Sequence, residues 1–111
     1  MGAREDRIAR NEALFRDVNE RVRELAGSFA GTPAREPIAF VCECGSGDCA
    51  ASVELTLEQY ERVRGDAAQF VVVPGHASPH VEHVVERHER YEVVRKHPDE
   101  ADIALDTDPR A

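Results

Sequence analysis

The chain has 111 residues, a formal charge of −8, four Phe, two Tyr and no Trp. This length suits one domain, and the acidic balance argues against non-specific nucleic-acid binding. The core has to come mainly from Val, Leu, Ile and Ala. A core that small often needs a staple: a metal, disulfides or a partner.

Charge divides the sequence into three segments. Residues 4–24 hold six Arg and six acidic residues and are neutral, so the deficit lies further on. Residues 1–36 read as a helix and linker, residues 37–97 as a compact α+β domain, and residues 98–111 as an acidic, disordered tail. Asp99, Glu100, Asp102, Asp106 and Asp108 concentrate the charge in that tail. Met1 leads into charged residues, not the apolar run of a secretory leader, and no apolar run is long enough to span a bilayer. The expectation is a cytoplasmic chain.

Residues 5–26 read as one amphipathic helix. Ile8, Phe15, Val18, Val22 and Leu25 recur at helical spacing, with Leu14 widening the stripe. Asp6 with Arg10 and Asp17 with Arg21 are acid-to-base pairs at i,i+4. Gly27 is a stop signal, and Gly31, Pro33 and Pro37 mark a loop. A long apolar stripe needs a cover, either the chain's own sheet or a partner, which includes a second copy.

A strand is expected at residues 38–44, then a turn bearing Gly45 and Gly47, and a second strand at 52–55. Thr56 and Gln59 match a capping box opening a short helix with Leu57, Tyr60 and Val63 inward. Residues 69–73 form a β-branched run that suits a buried strand. Residues 81–87 and 91–96 read as an antiparallel hairpin, with a helix starting at Pro79 as the rival.

The chemistry lies in the cysteines. Cys42-x-Cys44 at a strand end places both sulfurs on one face, because side chains alternate. The glycine turn lets Cys49 return to that face. Three Cys in eight residues, without a leader, favour metal or redox chemistry over a disulfide framework. Zinc takes a tetrahedral shell of Cys and His, and His76, directly after Pro74-Gly75, is the candidate fourth ligand. His80 is its rival, and iron is the alternative to zinc.

A shell of three thiolates and one imidazole is closed to water, which favours a structural metal. Neither the zinc-deaminase nor the His-Glu-x2-His pattern is present, and no catalytic set can be picked out. The function expected is therefore a zinc-binding interaction or regulatory module. A thiol sensor or small metalloenzyme using the same cysteines is the alternative.

The stretch Phe40-Val-Cys-Glu-Cys-Gly45 resembles a group of small, largely uncharacterised actinobacterial proteins. The likeness extends to Cys49, Leu55-Thr-Leu-Glu-Gln-Tyr-Glu61, Pro74-Gly-His76 and the Val-rich segment 81–87. It spans roughly residues 4–96. It implies His76 over His80 as the ligand and brings no activity. One Lys against thirteen Arg fits the codon usage of a GC-rich genome.

Overall fold

The computed structural model describes residues 2–28 and 35–110. The order is α1 (Ala3–Ser28), β1 (Ile38–Val41), β2 (Ser52–Leu55), α2 (Leu57–Val63), β3 (Gln69–Val72), β4 (Glu82–Arg87) and β5 (Glu92–Lys96). A 3-10 turn (Pro98–Glu100) and α3 (Asp102–Asp106) complete it. The fold is α+β with antiparallel sheets, as the sequence suggests. The expected loop at Gly31 and Pro33 lies outside the described residues.

β1 and β2 form a two-stranded ribbon; β3, β5 and β4 form a second sheet in that order. The expected hairpin is β4–β5, with an irregularity between Val84 and Glu86. The two sheets are joined just beyond β1, where the Glu43 N–H donates to the Val71 carbonyl at 2.8 Å. The capping box of α2 forms in full: Thr56 Oγ1 accepts from the Gln59 N–H, and Gln59 Oε1 accepts from the Thr56 N–H.

β3 is buried on both faces, which is why its sequence is a continuous apolar run rather than an alternation. Val71 joins Phe40, Val53, Leu55, Tyr60, Val63, Tyr91 and Val93 in one cluster. Phe70 and Val72 point the other way, toward Cys42, Cys44, Val94 and Ala104. Phe40 stacks on Tyr60 with ring centroids 4.5 Å apart.

One open expectation narrows and one needs correction. The first concerns the cover of the α1 stripe, the chain's own sheet or a partner: the body of the chain takes only part of it. The most buried residues of α1 are Ala9, Glu12, Ala13, Arg16, Asn19 and Glu20, while Leu14 and Val18 are 57% and 41% exposed. Of the expected stripe, Val22 packs on the Phe40 cluster, and Ile8 lies against Gly45. The buried residues also recur at helical spacing, so the inward face is a genuine stripe. Its polar members are buried because each has a partner. Arg16 donates to the carbonyls of Ala67 and Ala104, both at 2.8 Å. Asn19 binds the Val41 backbone in both directions, and Glu20 accepts from Arg64 at 3.0 Å.

The correction concerns the acidic segment after residue 97, which folds back as the 3-10 turn and α3. α3 packs on α1. Ala101 and Ala104 are buried. Arg64 pairs with Asp108, and Arg110 pairs with both Glu20 and Glu61. Acidic composition predicts disorder when nothing anchors the segment; here Arg64 takes up Asp108, the segment's own Arg110 reaches back to Glu20 and Glu61, and Ala101 and Ala104 are buried.

Candidate metal centre

β1 runs on into Cys42, whose N–H donates to the Ala51 carbonyl at 3.0 Å, so the ribbon extends to the first ligand candidate. Alternation then sends Cys42 and Cys44 one way and Glu43 the other. The Cys49 N–H closes the glycine turn onto the Ser46 carbonyl at 3.2 Å, returning its sulfur toward the first two. His76 arrives from the opposite sheet. Gly75 has φ 89°, a left-handed conformation that favours glycine, and the His76 N–H donates to the Val73 carbonyl at 2.9 Å. This Pro-Gly turn fixes where the imidazole points.

The four donor atoms of Cys42, Cys44, Cys49 and His76 all lie within 4.8 Å of one another. His76 Nδ1 is 3.6 Å from Cys42 Sγ and 3.7 Å from Cys49 Sγ. Bonds of about 2.3 Å to sulfur and about 2.0 Å to nitrogen give tetrahedral edges of about 3.5–3.8 Å. The two sulfur-to-nitrogen separations match those edges, so the donors fit a metal ion. His80 is not part of this group.

Cys42 and Cys44 are buried, at 1% and 3% exposure, and Cys49 is half-buried. Burial, reinforced by the neighbouring thiols, pushes the Cys42 thiol up to about 12 even though the Val73 N–H donates to its sulfur at 3.2 Å. Burial likewise raises Cys44. The two buried thiols hold their protons unless a cation shares the charge, so metal binding here would release protons.

Sequence reasoning passed over the residue between the first two cysteines. Glu43 is fully buried. Its Oε2 accepts from Asn19 Nδ2 at 2.8 Å and from the Tyr60 hydroxyl at 3.0 Å; its Oε1 accepts from the Val71 N–H at 3.0 Å. One side chain thus ties the cysteine segment to α1, α2 and β3. Burial raises its pKa and these three donors oppose the rise. The available signal was alternation, since Cys-x-Cys places x on the face opposite the sulfurs.

A second brace holds the glycine turn. Asn11 Nδ2 donates to the Gly45 carbonyl at 2.9 Å. The other histidines lie elsewhere: His88 stacks on Tyr91 and pairs with Glu86, and His83 meets His97 edge to face.

No protein-family model, curated protein or solved structure matches this chain. Among the described residues, no helix is long and apolar enough to cross a membrane.

Proposed function

We propose that Cys42, Cys44, Cys49 and His76 hold one zinc ion in a closed shell, and that the ion is structural. The observation that carries this reading is the mutual approach of the four donors within 4.8 Å. Three thiolates and an imidazole suit zinc better than the oxygen-seeking cations, and they leave no position for water. The ion would join the β1–β2 ribbon to the turn after β3. Structural zinc contributes about 10–16 kcal/mol in small domains, so folding and metal loading should be linked.

On this reading the chain is a non-enzymatic interaction or regulatory module of a reducing, cytoplasmic compartment. It is akin to the small actinobacterial proteins that its cysteine and Pro-Gly-His segments resemble. The outer face of α1, where Leu14 and Val18 are exposed, is the surface we assign to a protein partner or a second copy. A Leu14→Asp, Val18→Asp protein should stay folded and lose self-association or partner capture in sedimentation and pull-down experiments. An unchanged assembly state and undiminished capture would remove that assignment.

The metal reading is tested by metal content per chain on protein purified without added metal. One zinc per chain, lost in Cys44→Ser and weakened in His76→Ala, is the expected result. Zinc held with unchanged affinity in His76→Ala would replace the fourth ligand by another group. No metal, with a disulfide forming readily among the three cysteines, would put the thiol-sensor reading in its place.

A further inference from the structure

Between α1 and the β4–β5 hairpin lie three ionisable side chains with no contact with solvent: Glu12, Glu82 and Lys96. Lys96 Nζ is 2.7 Å from Glu12 Oε1 and 3.7 Å from Glu82 Oε1. Glu82 Oε2 accepts the Ser78 N–H at 2.8 Å. Two carboxylate oxygens remain, Glu12 Oε2 and Glu82 Oε1, and neither has a hydrogen-bond partner.

Fully ionised, the group would bury two negative charges against one positive and leave two carboxylate oxygens bare. An uncompensated buried charge is strongly destabilising, and such groups neutralise instead. A single added proton removes both faults. It cancels the excess charge, and it lets one carboxyl donate to the bare oxygen of the other. Lys96 then balances the one remaining carboxylate.

We propose that Glu12 and Glu82 share one proton beside Lys96 in the folded protein at neutral pH, and that its loss in alkali releases the N-terminal half of α1 from the hairpin. Among the described residues, the surrounding charges do not supply an alternative counter-ion. Arg16, on the next turn of α1, is committed to the Ala67 and Ala104 carbonyls. Arg95 of β5 pairs with Asp66 at 3.1 Å. His83 of β4 lies edge to face with His97, whose Nε2 is buried without a partner. Burial first, and then the Glu82 carboxylate, push Glu12 up to about 9, outweighing the opposing pull of Lys96.

The sign follows from proton counting. The folded state holds a proton that an unfolded Glu has released above its ordinary value of 4.5. Stability therefore falls as pH rises from that value toward the folded one, by tenfold in the folding constant per pH unit for one proton. Glu12→Gln imitates the protonated state: its amide can donate to Glu82 while its oxygen accepts from Lys96.

The experiment is carboxyl-carbon NMR of the glutamate-labelled full chain between pH 5 and 10, paired with urea unfolding. One glutamate carboxyl should be neutral at pH 7 and titrate in alkali, with α1 amides of residues 8–16 losing exchange protection relative to β3 in the same range. The wild type should lose stability from pH 6 to 9, and Glu12→Gln should flatten that loss. All glutamates ionised at pH 7, or α1 as protected as β3 above the titration, would overturn the proposal. An equal slope in Glu12→Gln would do the same. Should Glu12→Gln not fold, the wild-type NMR titration decides alone.

Discussion

Gly45 is the point where α1 presses on the cysteine turn, and a single methyl group tests that contact. A Cβ added there would stand 2.3 Å from Ile8 Cγ2, 3.1 Å from Ile8 Cβ and 3.3 Å from Ile8 Cγ1. Carbon atoms pack at about 3.5–4.0 Å, so the first contact is short by more than 1 Å. Ile8 is β-branched and belongs to a helix, which leaves few rotamers for escape. Gly45→Ala must therefore push α1 away from the turn, at a cost of about 1–3 kcal/mol. With urea slopes of about 1–3 kcal/mol/M, the unfolding midpoint should fall by about 1 M. Ile8→Ala removes two of the three opposing atoms, so the double substitution should recover at least about 1 kcal/mol relative to the sum of the singles. Gly27→Ala is the control. Its Cβ would meet nothing within 4 Å, and it lies in α1, so it should stabilise by up to about 1 kcal/mol. Strict additivity of Gly45→Ala with Ile8→Ala, or a Gly45→Ala protein as stable as wild type, would refute the close approach of helix and turn.

Removing residues 98–111 takes away the Ala104 carbonyl and the Thr107 hydroxyl, two of the partners of the buried Arg16 guanidinium. The expected loss is several kcal/mol, in the range of about 3–5 for a buried charge stripped of its partners; an unchanged urea midpoint would contradict it. Tyr60→Phe keeps the stack on Phe40 but deletes the hydroxyl donor to Glu43. Calorimetry should show a loss of about 1–3 kcal/mol, and a loss within error of zero would mean that Asn19 and Val71 hold Glu43 unaided. On the acid side, Arg110 holds Glu61 below the usual carboxylate range. Glu20 is likewise lowered, because hydrogen bonds from Arg110 and Arg64 outweigh the effect of burial. That stability is present above the ordinary carboxylate value and is lost as pH falls through the lowered one. Arg110→Ala should therefore flatten the fall in urea midpoint below about pH 4.5, and an unaltered acid limb would count against it.

What could be read from the sequence was local. The capping box at Thr56 and Gln59, the β-branched run of β3 and the cysteine turn each lie within a few residues, where propensity and spacing act directly. His76 was within reach because Pro-Gly announces a turn that can aim a side chain. The inward face of α1 was not, because hydropathy periodicity scores apolar residues and is blind to polar residues that will be paired. Their partners are distant in the chain: Glu12 meets Lys96, Arg16 meets Ala104 and Glu20 meets Arg110. The order in residues 98–110 was hidden for the same reason. A run of acids looks solvated until Arg64, which meets Asp108, and Glu20 and Glu61, which meet Arg110, are placed in space.

The polar inward face of α1 also bears on the order in which the molecule can be assembled. A ribosome releases this helix long before Lys96, Ala104 and Arg110 exist. An apolar face would spend that interval seeking any surface to cover it; one bearing Glu12, Arg16, Asn19 and Glu20 is content in water. Its docking is completed only when the last part of the chain arrives, since Lys96, Ala104 and Arg110 then join the earlier partners Val41, Arg64 and Ala67. Such distant pairings slow folding, and they also shield the nascent chain from premature collapse and from sticking to its neighbours.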